Sequence, residues 1–142
     1  MVVGSIEVVP LLDAVGTLAE LEQAYPDVAA EEWTPYREVY PELFAGSRWR
    51  LPVGVYLLRS DDTTLLVDAG VGPPGSFPQW VGEREGLLPA ALQQLGVARR
   101  DVDVVFLTHL HIDHIGWTTD ENADVLFPNA RYLVHREALE FA

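Results

Sequence analysis

Three of the four histidines in this chain, together with an aspartate, fall within six residues, in the run Thr108-His109-Leu110-His111-Ile112-Asp113-His114-Ile115-Gly116-Trp117. Neutral imidazoles and a carboxylate are the ligands that suit zinc, and they also suit iron and manganese. The run follows Val102-Asp103-Val104-Val105-Phe106-Leu107, an apolar, β-branched stretch that reads as a buried strand. Residues i and i+2 of an extended segment project to the same side, so His109 and His111 can reach one ion. Aspartate favours helix starts, and a turn at Asp113 brings Asp113 and His114 in from another direction. Four ligands from one strand-to-helix turn would serve two ions about 3.5–4 Å apart, the spacing of two-metal hydrolytic sites. A polar loop with histidines capping backbone groups is the competing reading, and it supplies no reason for the clustering.

The chemistry that follows is metal-assisted hydrolysis, with a metal-bound hydroxide attacking an ester, lactone, thioester or similar bond. Asp113 is the candidate catalytic residue. Its ionised carboxyl only accepts hydrogen bonds, so it can ligate metal and orient the nucleophilic water together. No Ser-His-Asp or Cys-His arrangement competes, and no Gly-rich phosphate cradle is present.

The elements that must position these side chains are legible in outline. Residues 4–12 read as a first strand. Residues 17–24 predict a helix with a threonine cap, ended by Pro26. Residues 29–43 predict a second helical stretch, broken by Pro35 and Pro41. The segment 17–48 reads as an insertion rich in Tyr, Trp and acids. It is either a lid or pocket wall or an aromatic-bearing helix packed on the sheet. Residues 51–59 and 63–68, separated by Ser60-Asp61-Asp62, predict an antiparallel hairpin. Residues 70–86 read as a Gly/Pro-rich loop, and residues 87–95 as a helix capped by Gly96.

At this point the chain resembles the metallo-β-lactamase-fold hydrolases. The resemblance rests on THLHIDHIGW at 108–117 and on TTLLVDAGVG at 63–72, which looks like that family's earlier strand ending in an aspartate. LLPAALQQLGVARRDVDVVFLTH between them, and LFPNARYLVHREALEF at 126–141, are similar to the family's helix-then-strand passages. The match covers about residues 50 to 142, and its wording is similar to the branch containing quorum-quenching lactonases and organophosphate hydrolases.

The resemblance implies the N-terminal half of an αβ/βα sandwich: one mostly antiparallel or mixed sheet with flanking helices, forming a single, apparently truncated domain over 1–142. It implies that His109 and His111 are ligands of a first metal, and Asp113 and His114 of a second. Two zinc ions are expected in a complete site, with iron or manganese as alternatives. Asp68 would orient the ligands by accepting a proton-bearing imidazole nitrogen, although an ordinary strand-ending Asp-Ala-Gly turn fits there too. Phe77 and Trp80, in the loop after that aspartate, would contact an apolar substrate or simply anchor the loop. Trp117 would form a pocket wall or pack the helix onto the sheet.

The family also requires a further histidine, a bridging carboxylate and a last histidine downstream. Here the sequence ends at Ala142, 28 residues past His114, and the later His135 lies in RYLVHRE, where it reads as structural or surface. The expected partners are therefore a small-molecule substrate and either a second copy of the chain or a complementing C-terminal half. A non-catalytic half-domain and an iron-dependent enzyme similar to persulfide dioxygenases on the same fold are the alternatives.

Composition agrees with a piece of a folded α/β enzyme. The hydrophobic share is 49%, ample for a core. No apolar stretch approaches the ~20 residues of a membrane span. The N-terminus lacks a signal-peptide pattern, so cytoplasmic is the default expectation. With no cysteine, neither a disulfide nor a thiolate zinc site can form. The net charge of −13 repels phosphate backbones and anionic lipids, which excludes nucleic acid and membrane as expected partners.

Overall fold

A computed structural model describes residues 1–76, 81–84 and 86–140. In chain order the elements are β1 (Val2–Val3), β2 (Ile6–Glu20), α1 (Leu21–Ala24), α2 (Thr34–Val39), β3 (Phe44–Ala45), β4 (Arg48–Arg59), β5 (Thr64–Val67), β6 (Val81–Arg84), α3 (Leu88–Gln94), β7 (Val104–Leu107), α4 (Ile112–Ile115), β8 (Arg131–Val134) and α5 (Arg136–Glu140). The described strands form one mixed sheet in the order β1-β2-β4-β5-β7-β8, with β3 on β4 and β6 on β2. The pairs β5–β7 and β7–β8 are parallel, and the other pairs are antiparallel.

The change from antiparallel to parallel pairing has a direct cause. β4 and β5 are joined by the short Ser60-Asp61-Asp62-Thr63 connection, which can only reverse the chain. Between β5 and β7 lies α3, long enough to carry the chain back to the starting edge of the sheet. Leu88 and Leu92, four apart on α3, are buried against Val55, Leu57, Leu66 and Val105 of the sheet, and Phe127 and Trp117 complete this core. Gly96, with φ +72°, ends the helix in the left-handed conformation, as its position predicts.

The alternation in β4 buries Val53, Val55 and Leu57 and turns Pro52, Gly54 and Tyr56 outward. Register carries that outward face across the sheet. Pro10 pairs with Tyr56, Tyr56 with Val67, Val67 with Phe106, and Phe106 with Leu133. Tyr56 is 51% exposed, and Phe106 and Leu133 are each 39% exposed. One face of the sheet is thus covered by α3, while the other presents a continuous apolar row.

The stretch 29–43 is in pieces, as expected: a 3-10 turn at Ala30–Trp33, α2, and a 3-10 turn at Pro41–Leu43, with Pro35 and Pro41 each in the first turn of its piece, where a missing N–H costs nothing. Two expectations need correction. Residues 17–20 are strand, not helix, and only Leu21–Ala24 forms a helical turn. The cause is tertiary: Gly16, Thr17 and Glu20 pair with Leu51, Arg50 and Arg48, and an Arg48–Glu20 ion pair at 2.8 Å closes the end. Cross-strand pairing over that length overrides a weak helical preference. The span 70–86 is not wholly loop, since Val81–Arg84 pairs with β2.

Candidate metal centre

The strands β5 and β7 end side by side, and the residues that follow each of them meet. Asp68 leaves β5 with φ +65°, a left-handed conformation uncommon for a residue with a side chain. Its amide donates to the Phe106 carbonyl at 2.8 Å. The next residues are stitched to the histidine-rich turn by backbone bonds: Ala69 N–H to His114 O at 2.7 Å, Gly116 N–H to Gly70 O at 2.8 Å, and Trp117 N–H to Ala69 O at 2.8 Å. The approach is close enough that a Cβ on Gly116 would overlap the backbone of Val71 and Gly72. Glycine is required there for space, since its own φ of −56° is helical.

The buried Asp68 carboxylate organises the turn. It accepts hydrogen bonds from the Thr108 amide at 2.8 Å, from the Thr108 hydroxyl at 2.9 Å and from His114 Nδ1 at 2.8 Å. A carboxylate only accepts, so His114 carries its proton on Nδ1 and keeps a lone pair on Nε2. The Thr108 hydroxyl spends its single proton on Asp68. It must therefore accept from His109 Nδ1, 3.0 Å away, which leaves the lone pair of His109 on Nε2. One carboxylate thus sets the tautomer of two imidazoles, one of them through a threonine.

The atoms so exposed face partners at informative distances. His109 Nε2 lies 3.2 Å from His111 Nδ1. Two nitrogens bound tetrahedrally to one zinc at about 2.0–2.1 Å would stand roughly 3.3 Å apart. His114 Nε2 lies 3.4 Å from Asp113 Oδ2, two lone-pair-bearing atoms facing each other. A cation between them would turn that repulsion into ligation, and roughly 3.4 Å suits one nitrogen and one oxygen ligand of the same ion. The rings of His109 and His114 stand with centroids 4.0 Å apart, so the two pairs adjoin. The donor chemistry and spacing therefore fit metal as two adjoining half-sites. Among the described residues, no three His, Asp or Glu side chains converge in a metal-holding group.

The helix of the motif begins at Ile112, with His111 as the extended residue before it and Asp113 in its first turn. His135, directly after β8, is exposed and stands 3.9 Å from the Glu137 carboxylate. Trp117 is only 5% exposed and packs into the core under the motif. Phe77 and Trp80 lie outside the described residues.

Sequence reasoning missed Asp13. It is fully buried in β2 and accepts from Val71 N–H at 2.7 Å, Leu88 N–H at 2.9 Å and Trp117 Nε1–H at 2.9 Å. One carboxyl therefore ties β2 to the loop after Asp68, to the start of α3 and to the end of the metal motif. Burial pushes its pKa above the ordinary carboxylate value, and those hydrogen bonds pull it back in part. The available signal was an acid inside the apolar run Val8-Val9-Pro10-Leu11-Leu12-Asp13-Ala14-Val15. A Cβ on Gly70 would overlap this carboxyl, which explains the glycine two residues after Asp68.

The sequence profile of the Metallo-beta-lactamase superfamily matches residues 48–120. The N-acyl homoserine lactonase AiiB of Agrobacterium fabrum is 34% identical over 104 residues, covering 65% of this chain and 35% of that protein. The crystal structure of AidC, described as a dizinc quorum-quenching lactonase, superposes with a TM-score of 0.82 at 25% identity, over 99% of this chain and 45% of that one. A probable metal-dependent hydrolase from Staphylococcus aureus shares the fold with a TM-score of 0.81 at 22% identity, over 99% of this chain and 50% of that one. The chain spans about a third of the length of the curated relative and about half of the solved ones.

Proposed function

The chain belongs to the metallo-β-lactamase superfamily, and on that premise we propose that it supplies the first half of a two-metal hydrolytic site acting on a lactone or a related ester. His109 and His111 would hold one ion, and Asp113 and His114 the other, zinc being the metal that matches the donors and the dizinc neighbour. The observation that carries this reading is the facing of donor atoms in two adjoining pairs, His109 Nε2 with His111 Nδ1 and His114 Nε2 with Asp113 Oδ2.

When bound, such ions supply Lewis acidity: they make water acidic enough to act as a nucleophile near neutral pH and polarise the substrate oxygen. The chain's own residues do the rest. Asp68 holds the proton on His114 Nδ1 and, through Thr108, on His109 Nδ1, so that both Nε2 atoms present lone pairs. Asp113, with an acceptor-only carboxylate, holds an attacking water by taking a hydrogen bond from it. The 22% charged composition is strongly acidic, which favours neutral substrates over polyanions.

Each ion would have two ligands from this chain, short of the three or four that stable sites use. We therefore assign the remaining ligands to a complementing C-terminal half or a second copy, seated on the apolar face that runs from Pro10 to Leu133. Two sheets packed face to face, about 10 Å apart, would bury that face. The test is elemental analysis beside a panel of lactone, thioester and phosphotriester substrates, for the chain as given and for His111→Ala. Zinc held by the parent more tightly than by the variant, with lactone turnover appearing once the complementing half or second copy is seated, supports the reading. Equal zinc affinity of parent and variant in that assembly contradicts it.

A further inference from the structure

We propose that the aromatic box built by Tyr25, Trp33, Tyr36, Tyr40 and Trp49 binds a small quaternary ammonium group, a ligand of the choline type.

The box is a cavity of about 200 Å³ whose walls are these five rings, closed by Leu21 and neighbouring apolar side chains. It lies at the far end of the β2–β4 ribbon. Trp49 is seven residues along β4 from Tyr56, the partner of Val67 at the end of β5. At ~3.3 Å per residue that is roughly 23 Å of strand from the level of Asp68. Drug-sized sites occupy ~300–1,000 Å³, whereas a cavity of ~150 Å³ takes a benzene-sized guest. The guest here is thus the size of a head group, not of a long chain.

Two observations give the guest its chemistry. First, the rings form a continuous chain of tilted contacts: Trp49–Tyr25 at 6.0 Å, Tyr25–Trp33 at 5.3 Å and Trp33–Tyr36 at 6.2 Å between centroids. Aromatic faces are electronegative, and several of them around one cavity make the cage that recognises alkylated ammonium ions. Second, the surrounding segment 17–48 carries seven carboxylates against two guanidinium groups. Arg48 is paired with Glu20, and Arg37 stacks over Phe44, a ring at the edge of the cavity, while donating to Gly46 O. The local field therefore favours a cation.

The proposal is tested by calorimetric titration of the full chain with choline, tetramethylammonium and 3,3-dimethylbutan-1-ol, the neutral isostere of choline. Choline and tetramethylammonium are expected to bind saturably, with the alcohol at least tenfold weaker than choline. Tyr36→Leu, at a position 57% exposed on α2, should weaken choline about tenfold with an unchanged circular dichroism spectrum. Binding of the alcohol as tightly as choline, absence of saturable binding, or indifference to Tyr36→Leu would each overturn the proposal.

Discussion

Asp13 and Trp117, 104 residues apart in sequence, are joined by a 2.9 Å hydrogen bond from the indole Nε1 to the buried carboxyl. The bond fastens the segment just after the metal motif to the long strand β2. Asp13→Ala would leave the Val71, Leu88 and Trp117 donors without acceptors. Each unsatisfied buried donor costs about 1–3 kcal/mol, so a loss of at least ~3 kcal/mol in urea unfolding is expected. A loss below ~1 kcal/mol would mean the donors find other partners.

The raised pKa of Asp13 also gives a signed pH dependence. A group whose folded-state pKa exceeds its unfolded value stabilises the fold most fully below the unfolded pKa. That contribution is lost as pH rises through the raised value. The stability difference between the parent and Asp13→Asn should therefore shrink as pH increases from the acid side of the ordinary carboxylate range. Urea titrations at a series of pH values measure it, and a difference that grows with pH would reverse the assignment.

Asp68→Ala is expected to leave the sheet intact while releasing the tautomers of His114 and His109, since its carboxyl is what Thr108 and His114 bond. Loss of such a ligand-orienting partner typically weakens metal binding about 10–100-fold. Competition against a chromogenic chelator reads the change. Thr108→Val should weaken binding through His109 alone, because the Asp68–His114 bond survives it. Equal effects from the two substitutions would contradict the relay.

Gly116→Ala places a methyl group into the backbone of Val71 and Gly72. Neither can yield without breaking the bonds from Ala69 and Gly70 to the motif. A destabilisation of about 2–3 kcal/mol is expected, as for overpacked cores, seen as a shift in thermal midpoint. An unchanged midpoint would show that the loop gives way freely.

The uncovered row of Tyr56, Val67, Phe106 and Leu133 should make the isolated chain self-associate, because contiguous apolar surface seeks a partner. Sedimentation velocity should show a concentration-dependent increase in mass, suppressed by Phe106→Glu. A monodisperse monomer at high concentration would contradict the reading of this face as an interface.

The sequence made the metal motif and its two flanking strands legible for local reasons. HxHxDH carries its own spacing, and an apolar β-branched run before it has one sensible conformation. The hairpin across Ser60-Asp61-Asp62 and the helix ended by Gly96 are also local. What was hidden depends on long-range pairing. Thr17–Glu20 looks helical until Arg48–Leu51 lies beside it, and Val81–Arg84 looks like loop until β2 lies beside it. Asp13 and Thr108 matter only because residues far along the chain arrive at their side chains. The aromatic segment 17–48 was visible as a segment, but its enclosure of a cavity was not.

The most direct test of the central claim is a zinc titration followed by the side-chain nitrogen resonances of all four histidines. His109, His111 and His114 should shift together and saturate, with Nε2 of His109 and His114 changing most, while His135 stays fixed. A titration in which His135 responds as strongly as the other three, or in which none responds, would contradict the assignment of a metal centre to this turn.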